Sequence, residues 1–122
     1  VSYSHLASLY KKAVEEYPVS QDTLDKIEKL DRYVIEHFRV AFGNRILKQF
    51  GIFVPVYIAC GGEEVEAIDY MLATKVFRKF ESLNLALIRD EIKGLIGQLD
   101  ALFGKDSMKE CIAFLRRLQR SY

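Results

Sequence analysis

Apolar side chains recur at steps of three and four along almost the whole chain, and only two prolines interrupt them. A period near 3.6 residues collects such groups on one side of a helix, so the pattern predicts amphipathic helices wherever it persists. Two segments carry it most clearly. Val65, Ile68, Leu72, Val76 and Phe80 form one stripe; Ile88, Ile92, Leu95, Leu99 and Leu102 form another, which Gly104 stops. Around the first stripe, Glu63, Glu64 and Glu66 fall in the opening turn and Arg78 and Lys79 in the last, which suits the helix dipole at both ends.

The remaining segments follow the same logic. Tyr3, Leu6, Tyr10, Ala13 and Tyr17 make a stripe that Pro18 ends, because a residue before proline avoids helical angles. Ser20 is placed to cap the next helix, whose inner face reads Leu24, Ile27, Leu30, Val34 and Phe38. Asp25, Lys26, Glu28 and Lys29 cover its outer face. Ser107 and Glu110 have capping-box spacing for a last helix that buries Met108, Ile112, Leu115 and Leu118. Residues 52–60 are ambiguous, being a continuous apolar run rich in β-branched and aromatic side chains. A lone strand would have no partner here, so the run is expected to be a buried helix, bent or broken near Pro55. The fold expected is all-α: one helical bundle of five or six helices, a single domain over residues 1–122 with no linker dividing it.

Composition narrows the functions open to such a bundle. At 122 residues the chain can bury a real core, and a net charge of +1 gives no overall field toward nucleic acid or membrane. No charged stretch followed by an apolar one opens the chain, so it does not read as a secretory precursor. It starts at Val1 in mid-pattern, as an excised piece of a larger cytoplasmic protein would. Cys60 and Cys111 are far apart and beside apolar residues, which predicts two buried thiols rather than a disulfide or a zinc site.

No phosphate-loop motif occurs, so the chain cannot cradle a triphosphate alone, and no catalytic residue is expected within it. His5 and His37 fall in different helices and read as solvated or capping residues. Three local features remain. Arg45 follows Phe42, Gly43 and Asn44 at the head of an apolar helix. It is either a surface arginine behind an N-cap Asn44, or an anion-facing cation where free backbone N–H groups also favour phosphate. Glu66, Ala67, Ile68 and Asp69, followed by Lys75, read by themselves as a solvated polar face. Arg116, Arg117 and Arg120 read as the outer face of a last helix, although such clusters also bind phosphate backbones.

The order of these features resembles the lid domain of AAA+ ATPases close to the GTP-hydrolysing subunit of the methylcytosine-specific restriction system. That lid has a glycine-x-arginine at a helix start, here Gly43, Asn44 and Arg45. An Ala-x-Asp follows, here Ala67, Ile68 and Asp69, then a lysine six residues after the aspartate, here Lys75. Arg78 stands where the family often has proline, Lys79 fits the basic position after it, and Asn44 replaces a common aromatic residue. The motifs cover residues 40–80, and the flanking helices match by type. The resemblance implies that Arg45, presented by Gly43 and Asn44, is the sensor-2 arginine reaching the γ-phosphate of ATP or GTP. The nucleotide, with Mg²⁺, would be held by a core domain of the same chain, and neighbouring subunits of a ring oligomer would be further partners. No cofactor is expected on the fragment alone, no membrane partner is expected, and nucleic acid would enter only through the parent complex. Two other readings stand beside it: a helical module that binds a protein through an apolar groove, and a nucleic-acid-binding domain using Arg116, Arg117 and Arg120.

Overall fold

Six α-helices follow one another in the computed structural model, which describes residues 3–120 and, at Tyr3, the backbone alone. They are α1 (Tyr3–Glu16), α2 (Gln21–Phe38), α3 (Gly43–Ala59), α4 (Glu64–Met71), α5 (Leu85–Phe103) and α6 (Lys109–Arg120). No strand occurs among the described residues. No helix among them is long and apolar enough to cross a membrane.

Helices α2 to α6 surround one core. From α2 come Ile27, Leu30, Val34 and Phe38, and from α5 come Ile92, Leu95 and Leu99, all buried as their spacing predicts. Leu24 is the exception on the α2 stripe and stays 42% exposed. Thr23 is buried in its place, because its hydroxyl turns toward a carboxylate on α4. Helix α6 buries Cys111, Ile112, Leu115 and Leu118, and Met108 is buried just before it.

Helix α3 runs unbroken through Pro55, which corrects the expected break in residues 52–60. It packs against α1 on one side and α4 on another, so apolar groups on several faces find cover and strand character is not needed to explain them. Gly61, at φ +98°, ends it in a left-handed turn that glycine adopts without strain. Cys60 sits at that terminus and is exposed, whereas Cys111 is buried; the expectation of two buried thiols holds for one of them.

The segment expected as one helix over residues 65–80 changes its winding twice. After α4 comes a π turn at Leu72–Val76 and then a 3-10 stretch at Phe77–Ser82. The predicted stripe survives, with Ile68, Leu72, Val76 and Phe80 fully buried. Phe77, next in the chain, is buried beside Val76 where the winding passes from π to 3-10. Phe80 then meets Phe38 at 4.6 Å and Phe77 at 5.4 Å between ring centroids. Gaining a second buried phenylalanine offsets the poorer backbone geometry.

Helix α1 lies outside this core, and α3 is its main neighbour. Ala13 is buried, but Leu6, Tyr10 and Tyr17 remain 41%, 47% and 42% exposed. The Val1 terminus and the side chain of Tyr3 lie outside the described residues.

Candidate functional site

The head of α3 is built by its neighbours. Phe42 is buried, and its N–H donates to Asp31 Oδ1 at 2.9 Å, which ties the α2–α3 connection to α2. Gly43 then takes φ +82°, a turn that a side chain would strain, and the helix begins there. Asn44 therefore lies inside the first turn, and the N-cap position is Phe42, which offers no side-chain cap. The expectation of an N-cap Asn44 is corrected: buried Phe42 and its bond to Asp31 determine where the helix starts. No acidic residue occupies the first turn of α3. Arg45 is exposed, and it has no ion pair among the described residues. The head of α3 thus combines first-turn backbone N–H groups, the positive end of the dipole and a free guanidinium, which attract an anion, with the Asp31 carboxylate at the N-cap, which opposes one.

Asp69 is not on a solvated face. It is 5% exposed, and its carboxylate accepts from the backbone N–H groups of Glu110 and Cys111 at 2.8 Å each. It thereby caps α6 from α4, and the expected Ser107–Glu110 capping box is replaced, because Asp69 already takes the Glu110 N–H. The Cys111 thiol donates to the Asp69 carbonyl at 3.2 Å. Burial, reinforced by the Asp69 charge, pushes the Cys111 thiol well above its ordinary range, so it stays protonated. Lys75 is exposed and makes no ion pair with Asp69, so the two motif residues act in different places.

Glu64 does for α2 what Asp69 does for α6. Its carboxylate accepts from Ser20 N and Ser20 Oγ at 3.0 Å each, and from Thr23 Oγ1. Burial pushes this carboxyl up, but the hydrogen bonds from Thr23 and Ser20 outweigh it and leave it below its ordinary value. Ser20 also receives Thr23 N–H at 3.2 Å, as its capping role predicts. Sequence reading found Ser20 and assigned Glu64 only to its own helix dipole.

His37 is half-buried, solvated in part as expected, but it does more than face water. Its Nδ1 lies 2.7 Å from Glu91 Oε2, and its ring stacks on Tyr33 at 4.1 Å, so it fastens α2 to α5. Neither cysteine has a histidine partner among the described residues, so no thiol–imidazole pair is assembled. No group of three or more His, Cys, Asp or Glu side chains among them has metal-binding geometry.

Arg116, Arg117 and Arg120 are exposed on α6, and Arg117 lies 5.8 Å from the Phe114 ring. Glu81 and Glu110 share a groove with Arg78 and Arg117, so the surface there is mixed rather than basic. A groove of about 790 Å³ is edged by Glu63, Glu66, Asp69, Asp106 and Glu110 against the single cation Lys109, a balance that disfavours anions. No protein family, curated protein or solved structure matches the chain.

Proposed function

We propose that this chain is the C-terminal lid of an AAA+ nucleoside triphosphatase, closing over a nucleotide held by a core domain. The observation that carries this reading is the α3 head: Arg45, exposed and unpaired, follows the left-handed Gly43 in a first turn without acid or side-chain cap. The order of motifs from Gly43 to Lys79 supports it. In this mechanism Arg45 extends to the γ-phosphate of the nucleotide bound by the core. A guanidinium makes charge-assisted hydrogen bonds to phosphate oxygens and stabilises the charge that moves during transfer. Hydrolysis removes that charge, the contact weakens, and the lid is released. The helices beneath supply rigidity, since Phe42 and Asp31 hold the turn that presents the arginine. Asp69 belongs to the scaffold in this reading, and neither it nor exposed Lys75 touches nucleotide.

The test is Arg45→Ala in the full-length protein that contains the core. Circular dichroism should show the fold intact, because an exposed cation at a helix start adds little stability and opposes the dipole. Hydrolysis should fall by about ten- to a thousand-fold, as for loss of one transition-state donor. Full hydrolysis by a folded Arg45→Ala protein, or a parent sequence without a phosphate loop, would remove the proposal.

A further inference from the structure

Helices α1 and α3 leave a different face open. Between them and the π turn runs a groove of about 350 Å³, lined chiefly by Tyr10, Gln49, Ile52, Phe53, Met71 and Lys75. Around it Leu6, Leu9, Tyr10 and Ile52 keep 41%, 48%, 47% and 50% of their surface in water. A helix as short as α1 is marginal alone, and Ala13 is the buried side chain it contributes. The apolar surface here is an unfinished core.

Unpaired charge marks what would finish it, whereas the unpartnered Gln49 Oε1 is closed off from water and so from a docked chain. Lys75 stands exposed at the edge without an ion pair, and Lys48, on α3, is likewise unpaired among the described residues. Lys12 and Glu16 of α1 pair toward the other end, where Glu16 and Cys60 line a neighbouring hollow. Phe53 packs 5.8 Å from both Tyr57 and Tyr70, and that aromatic ridge separates this groove from the acidic one.

We propose that this groove binds an acidic amphipathic helix of a partner protein. Its apolar face covers Leu6, Tyr10 and Ile52, and its carboxylates pair with Lys75 and Lys48. A trough between two adjacent helices accepts the ridge of a third. The acidic groove beyond Phe53 repels the same carboxylates, so charge selects this side. The inference uses none of the nucleotide contact assigned to Arg45, and its test involves no nucleotide.

The probe is a stapled helical peptide of about 15 residues, long enough to span α1, with leucines on one face and glutamates on both flanks. A second peptide carries lysine for each glutamate. Titrated into the 122-residue chain, the acidic peptide should bind at least about tenfold more tightly than the basic one. Ile52→Asp should weaken acidic-peptide binding by about tenfold or more, and Lys75→Glu by about fivefold while improving the basic peptide. Both residues are exposed, so circular dichroism should show both variants folded. Equal binding of the two peptides, or undiminished binding to folded Ile52→Asp, would overturn the proposal. So would self-association of the chain that Ile52→Asp abolishes, since a second copy would then be the occupant.

Discussion

Replacing Asp69 tests the unexpected part of the architecture. The carboxylate holds two backbone N–H groups at 2.8 Å, one of them at buried Cys111, and sits at the positive end of α6. A hydrogen bond to a charged group contributes about 1.5–3 kcal/mol, and losing an N-cap costs about 0.5–2 kcal/mol. These overlap, because the cap consists of the same bonds, and water reaches part of the Glu110 site once the side chain is gone. Asp69→Ala should therefore cost about 3 kcal/mol, a large share of the roughly 5–15 kcal/mol that holds a domain of this size. Asp69→Asn keeps one acceptor oxygen but turns an NH₂ group toward the second N–H, so it should cost about 2 kcal/mol. Urea unfolding followed by circular dichroism reads both values, and the melting temperature of the alanine variant should fall by about 10 °C. Amide exchange at Glu110 and Cys111 should accelerate more than exchange within α2. A loss below about 0.5 kcal/mol for Asp69→Ala, typical of an ordinary surface change, would refute the argument that α4 caps α6.

Two further outcomes follow from the same contacts. Because the folded-state value of Glu64 lies below its ordinary value of 4.5, its contribution is present above that value and is lost as pH falls through the lower folded one. Stability measured from neutral pH down through this window should decline less steeply in Glu64→Gln than in the parent, and parallel curves would dismiss the Ser20–Thr23–Glu64 clamp. A thiol reagent should label one cysteine per folded chain, Cys60, and reach buried, protonated Cys111 only on unfolding; rapid labelling of two sites in native protein would contradict the burial of α6.

The chain's local periodicity determined where helices form and which side turns inward. Ile92, Leu95 and Leu99 are buried where their spacing puts them, Gly104 ends α5 at φ +103°, and Ser20 caps α2. The turn at Gly43 and the cation behind it were legible for the same reason, since both depend on neighbours in the chain. Tertiary structure decided the rest. Helix starts leave N–H groups that any carboxylate within reach can satisfy, and neither Glu64, 44 residues from Ser20, nor Asp69, 41 from Glu110, shows its partner in a periodic pattern. The start of α3 moved off Asn44 because buried Phe42 is held by Asp31 across the connection. The π turn after α4 left no mark on the apolar period, which runs on through Leu72, Val76 and Phe80 although the winding changes beneath it. The unpaired oxygen of Gln49 emerged only once α1 and α3 were side by side, since whether a polar atom has a partner is a property of the packed molecule.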